Sequence, residues 1–274
     1  MKWDPAKYVQ FGGHRDRPFF DLVARIGAGQ PRRVVDLGCG PGNLTASLAG
    51  RWPEADIVGV DSSAEMLDRA APLSRQFPSL RFELRDITAW EPAPGTDVVV
   101  SNAALQWVPG HRDLMRRWLA NLAPGSWFAL QVPGNFGAPS HVLMRELAAS
   151  PAWASRLDGV LTGGESAGSA ADYLAVLLDA GFTADAWETT YHQVLPGPDP
   201  VLEWVRGTAL RPVLAALSAK EAARFEDEYA AALRKAYPPT RHGTVFPFRR
   251  VFAVGHKEGW VHSLDDVDGP SNVV

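Results

Sequence analysis

Cysteine is almost absent. The chain has one in 274 residues, Cys39, so no intramolecular disulfide can form and no cysteine-based metal site is expected. Its seven histidines include no His-x-x-x-His pair, so no metal ion is expected. No stretch approaches about 18 uncharged apolar residues, which excludes a membrane-spanning helix. The opening MKWDPAKYVQF lacks the apolar segment of a secretory signal, and the expected location is the cytoplasm. Excess positive charge is missing too: 27 Lys and Arg against 31 Asp and Glu give a net charge of -4. That balance argues against a nucleic-acid partner. There is no internal repeat and no long low-complexity run.

What is present suits a globular protein, with 46% hydrophobic and 21% charged residues. A chain of this size buries about three quarters of its unfolded surface, as one large domain or one domain with a cap. Residues 17–26 place Phe19, Phe20, Leu22, Val23 and Ile26 at helical spacing. Short apolar strands then alternate with helical patterns. Strands are expected at 33–37, 57–61, 80–84, 97–101 and 127–132, with helices over 43–51, 64–75 and 112–122 between them. Such alternation implies parallel βαβ units with right-handed crossovers. The second half has helical patterns at 140–149, 171–180, 200–206 and 218–235, and strand-like runs at 184–195 and 247–255. The expected fold is therefore α/β, a doubly wound, mostly parallel sheet. Residues 1–256 make one domain, with cap helices inserted around 138–180 and 198–240. Residues 257–274 are polar and aperiodic, and a disordered tail is expected there.

The segment Asp36-Leu37-Gly38-Cys39-Gly40-Pro41-Gly42-Asn43 lies at a strand-to-helix switch, where open α/β sheets bind ligands. Glycines there let a ligand approach the backbone closely. A dinucleotide fold would show Gly-x-Gly-x-x-Gly, but Asn43 stands at the final glycine position. Asp36 suits a cationic amino-acid ligand better than a pyrophosphate. Asp61 ends the second strand, where a carboxylate can accept hydrogen bonds from a ribose diol. Asp86 follows the third, within reach of an adenine amino group, with Ile87 beside it to pack on the ring. One aspartate at a strand end is most often a helix cap; three on successive strand ends make a ligand edge. Cys39 has no His or Lys nearby in sequence and reads as a small apolar packing residue.

These residues resemble class I S-adenosylmethionine-dependent methyltransferases: DLGCGPG, the acid in VGVDSS and RDI match that superfamily's motifs in order and spacing. The resemblance implies a Rossmann-like, seven-stranded sheet ending in an antiparallel strand, with S-adenosyl-L-methionine as cofactor. The cofactor-binding set it implies is Asp36, Gly38, Gly40, Asp61, Ser62, Met66, Asp86, Ile87 and Asn102. A narrower resemblance covers residues 3 to about 256. It rests on Trp3-Asp4-Pro5, Arg15-Asp16-Arg17-Pro18, Ser101 to Trp107, His141 to Glu146, Trp187 to Tyr191, Gly207 to Pro212 and Phe246 to Phe252. Together these are similar to the trans-aconitate 2-methyltransferase family, whose members form a monomethyl ester on one carboxylate of a small tricarboxylic acid.

Such chemistry needs no general base, because a carboxylate is already ionised at neutral pH. It needs cationic or donor side chains for the remaining carboxylates. The substrate-binding candidates are His14, Arg17, Gln106, His141, Arg211 and Arg249. Arg249 and Arg250 lie on one expected strand, so only one of them is expected to face the site. Tyr8, Phe11, Trp107, Tyr191 and Trp204 are candidates for excluding water. The acceptor partner is then a small polycarboxylate, and the oligomeric state stays open. Two other functions remain compatible with the same residues: methyl transfer to a more apolar acceptor, and a non-catalytic cofactor-binding module. A nicotinamide oxidoreductase is the more distant alternative.

Overall fold

The computed structural model describes residues 12–161 and 167–259. Its strands are β1 (Arg33–Leu37), β2 (Asp56–Asp61), β3 (Leu80–Leu84), β4 (Val98–Asn102), β5 (Trp127–Pro133), β6 (Phe182–Leu195), β7 (Pro239–Thr240) and β8 (Gly243–Lys257). Seven of them form one sheet in the order β3-β2-β1-β4-β5-β8-β6, and the two-residue β7 pairs with β8. Strands β1 to β5 run parallel. β8 is antiparallel to both β5 and β6. The strand order reverses between β1 and β4, and a doubly wound sheet opens a ligand crevice at such a reversal.

The apolar strands are buried because helices cover both faces. One face packs Val35, Leu37, Val99, Phe128 and Leu130 against Trp118 and Leu119 of helix His111–Asn121 and Tyr173 and Leu177 of helix Ala170–Asp179. The other packs Val34, Val98, Val100, Ala129 and Phe252 against Phe19, Leu22 and Val23 of helix Gly12–Val23 and Ala46 and Leu48 of helix Asn43–Arg51. A third cluster forms the cap. Helices Pro139–Ala148, Pro200–Arg206, Arg211–Ala216 and Ala219–Ala236 enclose Met144, Trp204, Val213, Phe225 and Tyr229 against the strand residues Leu195, Phe246 and Phe248. Capping boxes at Ser169/Asp172 and Ser218/Glu221 set the starts of helices Ala170–Asp179 and Ala219–Ala236.

Several boundaries move. Helix Ala170–Asp179, expected in the cap, packs on the sheet instead, because its apolar stripe of Tyr173, Val176 and Leu177 meets the sheet core. Among the described residues the first helix spans Gly12–Val23, so Pro18 lies inside it and it ends before residue 26. β8 continues to Lys257, so the tail does not begin there. The Lys257 ammonium donates to the carbonyls of Leu119 and Leu122, both at 2.8 Å, and ties the strand to the end of a helix. Residues 260–274 lie outside the described residues. Among the described residues, no helix is long and apolar enough to cross a membrane.

Candidate active site

The glycine loop follows β1 at the strand-order reversal. Gly38, Gly40 and Gly42 all have positive φ, at 81°, 55° and 78°. A β-carbon on Gly38 would lie 2.2 Å from the Ala104 β-carbon, so the chain crosses there without room for a side chain. At Gly40 the same construction meets nothing within 4 Å, leaving open space at the loop's tip.

Asp61 braces this loop from the end of β2. Its Oδ2 accepts from the Gly40 amide at 2.9 Å and its Oδ1 from the Ser63 amide at 2.8 Å. Each carboxylate oxygen has two lone pairs, so both keep capacity for a further donor. Asp36 is buried in β1 and accepts from the Thr45 hydroxyl at 2.6 Å. Burial raises its pKa to about 6, opposed by the Thr45 hydrogen bond and reinforced by the charge of Asp61. Cys39 is buried between them. Burial first, then the charges of Asp36 and Asp61, push its thiol pKa far up, and it packs without nucleophilic character.

The remaining cofactor candidates divide. Ile87 is buried, with its Cδ1 3.6 Å from where a Gly38 β-carbon would stand. Met66 is buried in helix Ala64–Ala70. The cap of that helix is Ser63, whose hydroxyl accepts from the Met66 amide, while Ser62 is exposed. Asp86 is exposed and caps the short turn Ile87–Ala89, its Oδ1 accepting from the amide and hydroxyl of Thr88. Those hydrogen bonds lower its pKa. Asn102 ends β4, and its Oδ1 is buried with no hydrogen-bond partner among the described residues.

The acceptor candidates divide as well. Arg249 is exposed on β8 and paired through two guanidinium nitrogens with Glu188 of β6, which raises its pKa and lowers that of Glu188. This pairing engages the guanidinium that the sequence offered to the acid. Strand alternation puts Arg249 with Val251 and Ala253, facing the helices 111–121 and 170–179. Arg250 shares the opposite face with Phe248 and Phe252, is only 5% exposed, and lies 4.3 Å from the Phe248 ring centroid. Arg17 is exposed on helix Gly12–Val23 and stands 5.0 Å over the ring of Tyr191, which donates its hydroxyl to Asp21 at 2.6 Å. Arg211 opens its cap helix with one guanidinium nitrogen buried.

His141, on helix Pro139–Ala148, has its pKa lowered to about 4 by burial and by Arg145, so it is neutral at physiological pH. Gln106 donates to the Ala103 carbonyl at 2.7 Å, while its Oε1 is buried without a partner among the described residues. The side chain of His14, together with Tyr8 and Phe11, lies outside what the structure describes. Tyr191 and Trp204 are buried, whereas Trp107 is exposed.

Sequence reasoning missed Gln131. It faces Asn102 across the β4–β5 register, is 1% exposed, and has no partner for either end of its amide among the described residues. A glutamine inside the apolar run Trp127–Pro133 was the available signal. Asn135, just past β5, is similarly buried. Its Oδ1 accepts from the Arg249 amide, and its Nδ2 has no partner among the described residues.

Two carboxylates beside a glycine loop repel a pyrophosphate and attract a cation, so the loop fits an ammonium- and sulfonium-bearing nucleoside better than a dinucleotide. Comparison with known proteins agrees. A methyltransferase-domain family model matches residues 11–184. The trans-aconitate 2-methyltransferase of Streptomyces coelicolor is 56% identical over 266 residues, covering 93% of this chain and 86% of the relative. That of Rhodococcus jostii is 55% identical over 254 residues, covering 92% and 98%. The chain belongs to the trans-aconitate 2-methyltransferase family. Solved structures share the fold at low identity. The YcgJ protein of Bacillus subtilis superposes with a TM-score of 0.59 at 14% identity, covering 89% of this chain and 99% of that one. The phosphoethanolamine N-methyltransferase 2 of Haemonchus contortus gives 0.52 at 16%, covering 88% and 53%.

Proposed function

We propose that this chain esterifies one carboxylate of trans-aconitate, or of a close small polycarboxylate, using S-adenosylmethionine. The observation that carries this reading is the composition of one sheet face at the crevice. Asn102, Gln131 and Arg250 lie there on adjacent strands, with buried polar atoms where an apolar acceptor would need apolar walls.

S-adenosylmethionine, when bound, supplies an electrophilic methyl group on a cationic sulfur. Asp61 would hold the ribose with the oxygen capacity left beyond the Gly40 and Ser63 amides. Ile87 and Met66 would pack on the adenine. Asp36 would offset the positive charge of the amino-acid end, and the open space at Gly40 would admit it. Arg250 would anchor a carboxylate of the acid that does not react, from a low-dielectric position where such pairing is strong. Arg17 lies on the same side and His141 in the cap, so the two would reach the acid from the helical layers. The reacting carboxylate is ionised without help, so these residues have to orient it and keep water out. Orientation of this kind can supply about 7–11 kcal/mol.

The test is direct. Purified protein with methyl-labelled cofactor and trans-aconitate should yield a base-labile labelled ester. No labelling of any acid across a panel of di- and tricarboxylates would remove the substrate reading.

A further inference from the structure

The polar atoms at the ends of β4 and β5 are sorted by type. On the β4 side, the buried atoms without a partner among the described residues are acceptors, Asn102 Oδ1 and Gln106 Oε1. Past β5 the corresponding atom is a donor, Asn135 Nδ2, and the buried Arg250 guanidinium belongs to the next strand. Gln131 stands between the two groups. Its register partner on β4 is Asn102, and on β8 it is Phe252, two residues from Arg250. Along a strand that is about 7 Å from the Gln131 level. Both ends of its amide are buried and unpartnered among the described residues. A buried amide in that state is costly and rare, so ligands that satisfy both ends account for its presence.

The two sides match the two ligands in chemistry. An ammonium is donor-only and suits the acceptor side, next to Asp36. A carboxylate is acceptor-only and suits the donor side, next to Arg250. We propose that Gln131 reads both ligands at once. Its carbonyl oxygen accepts from the ammonium of the cofactor's amino-acid end, and its amide nitrogen donates to a carboxylate of the acid. Each ligand then fixes the amide in the orientation the other needs, and each raises the other's affinity. This rests on the polycarboxylate reading above and adds the residue that couples its two substrates.

Calorimetric titration of trans-aconitate, with and without saturating S-adenosylhomocysteine, tests it. The homocysteine product keeps the ammonium and cannot react. Wild-type protein should bind the acid at least about fivefold more tightly in its presence, within the usual range of coupling. Gln131→Met should weaken acid binding about tenfold or more and reduce the coupling to nothing. Its ligand-free thermal midpoint should stay level or rise, because methionine fills similar volume without stranding polar atoms. A lowered midpoint with coupling intact would mean that Gln131 is structural and would overturn the proposal. In wild-type protein, acid binding indifferent to S-adenosylhomocysteine would overturn it without recourse to any variant. Failure of wild type to bind trans-aconitate at all would remove both this inference and the substrate reading beneath it.

Discussion

Replacing Asp36 by Asn should stabilise the ligand-free protein while impairing cofactor binding, and the stabilisation should grow with pH. Asp36 is buried, and its pKa is raised from 3.8 to about 6, with burial the largest cause. The folded chain therefore holds this proton more tightly than the unfolded chain. The stability it contributes is fully present below about pH 4 and is lost as pH rises through about 6. A shift of about two units corresponds to about 3 kcal/mol at neutral pH. Asn can still accept the Thr45 hydroxyl and carries no charge to bury. The stability gap between Asp36→Asn and wild type should widen by about 1.4 kcal/mol between about pH 5 and pH 7.5. Urea unfolding of both proteins across that range measures it. Titration with S-adenosylhomocysteine should show binding at least about tenfold weaker in the variant, because the ammonium loses its counter-charge. A gap that does not change with pH, or a variant that binds the cofactor as tightly as wild type, would refute the reasoning.

Arg250→Ala should raise the KM for trans-aconitate by an amount worth about 2–5 kcal/mol, whereas Arg249→Ala should change it little; steady-state kinetics separates them. Gly38→Ala should destabilise the fold by about 1 kcal/mol or more from its φ of 81° alone, with the Ala104 clash added, as a thermal melt would register. His141 has a lowered folded-state pKa, so the stability it contributes is present above about pH 6.5 and declines as pH falls toward 4; His141→Gln should flatten that part of the stability profile. Cys39 should resist thiol reagents in the folded protein and react fully in denaturant, as a colorimetric thiol titration would show.

The sheet and its crevice were legible because their signals are local. Near-continuous apolar strands, glycines at the β1 turn and acids at strand ends each depend on only a few neighbouring residues. The acceptor side was less legible because it depends on strand parity and long-range pairing. Arg249 and Arg250 are adjacent and chemically identical. Yet Arg250 shares its parity with Phe246, Phe248 and Phe252, so aromatic alternation already marked the buried face. Gln131 stood as the one polar residue within Trp127–Pro133, a local signal that needed only to be weighed. At Asp86 and Ser62 the structure adds local detail to the motif positions: Asp86 caps a turn through its Oδ1, and Ser62 is exposed, with the helix cap taken by Ser63. The membership of helix Ala170–Asp179 was not readable, since an apolar stripe fits a sheet face and a cap equally well.

The decisive measurement is a crystal structure with S-adenosylhomocysteine and trans-aconitate bound together. The account places the acid's carboxylates within hydrogen-bond reach of Arg250 and Gln131, on the sheet face covered by helix Gly12–Val23. An acid bound on the opposite face beside the Arg249–Glu188 pair, or out in the cap away from both residues, would contradict it.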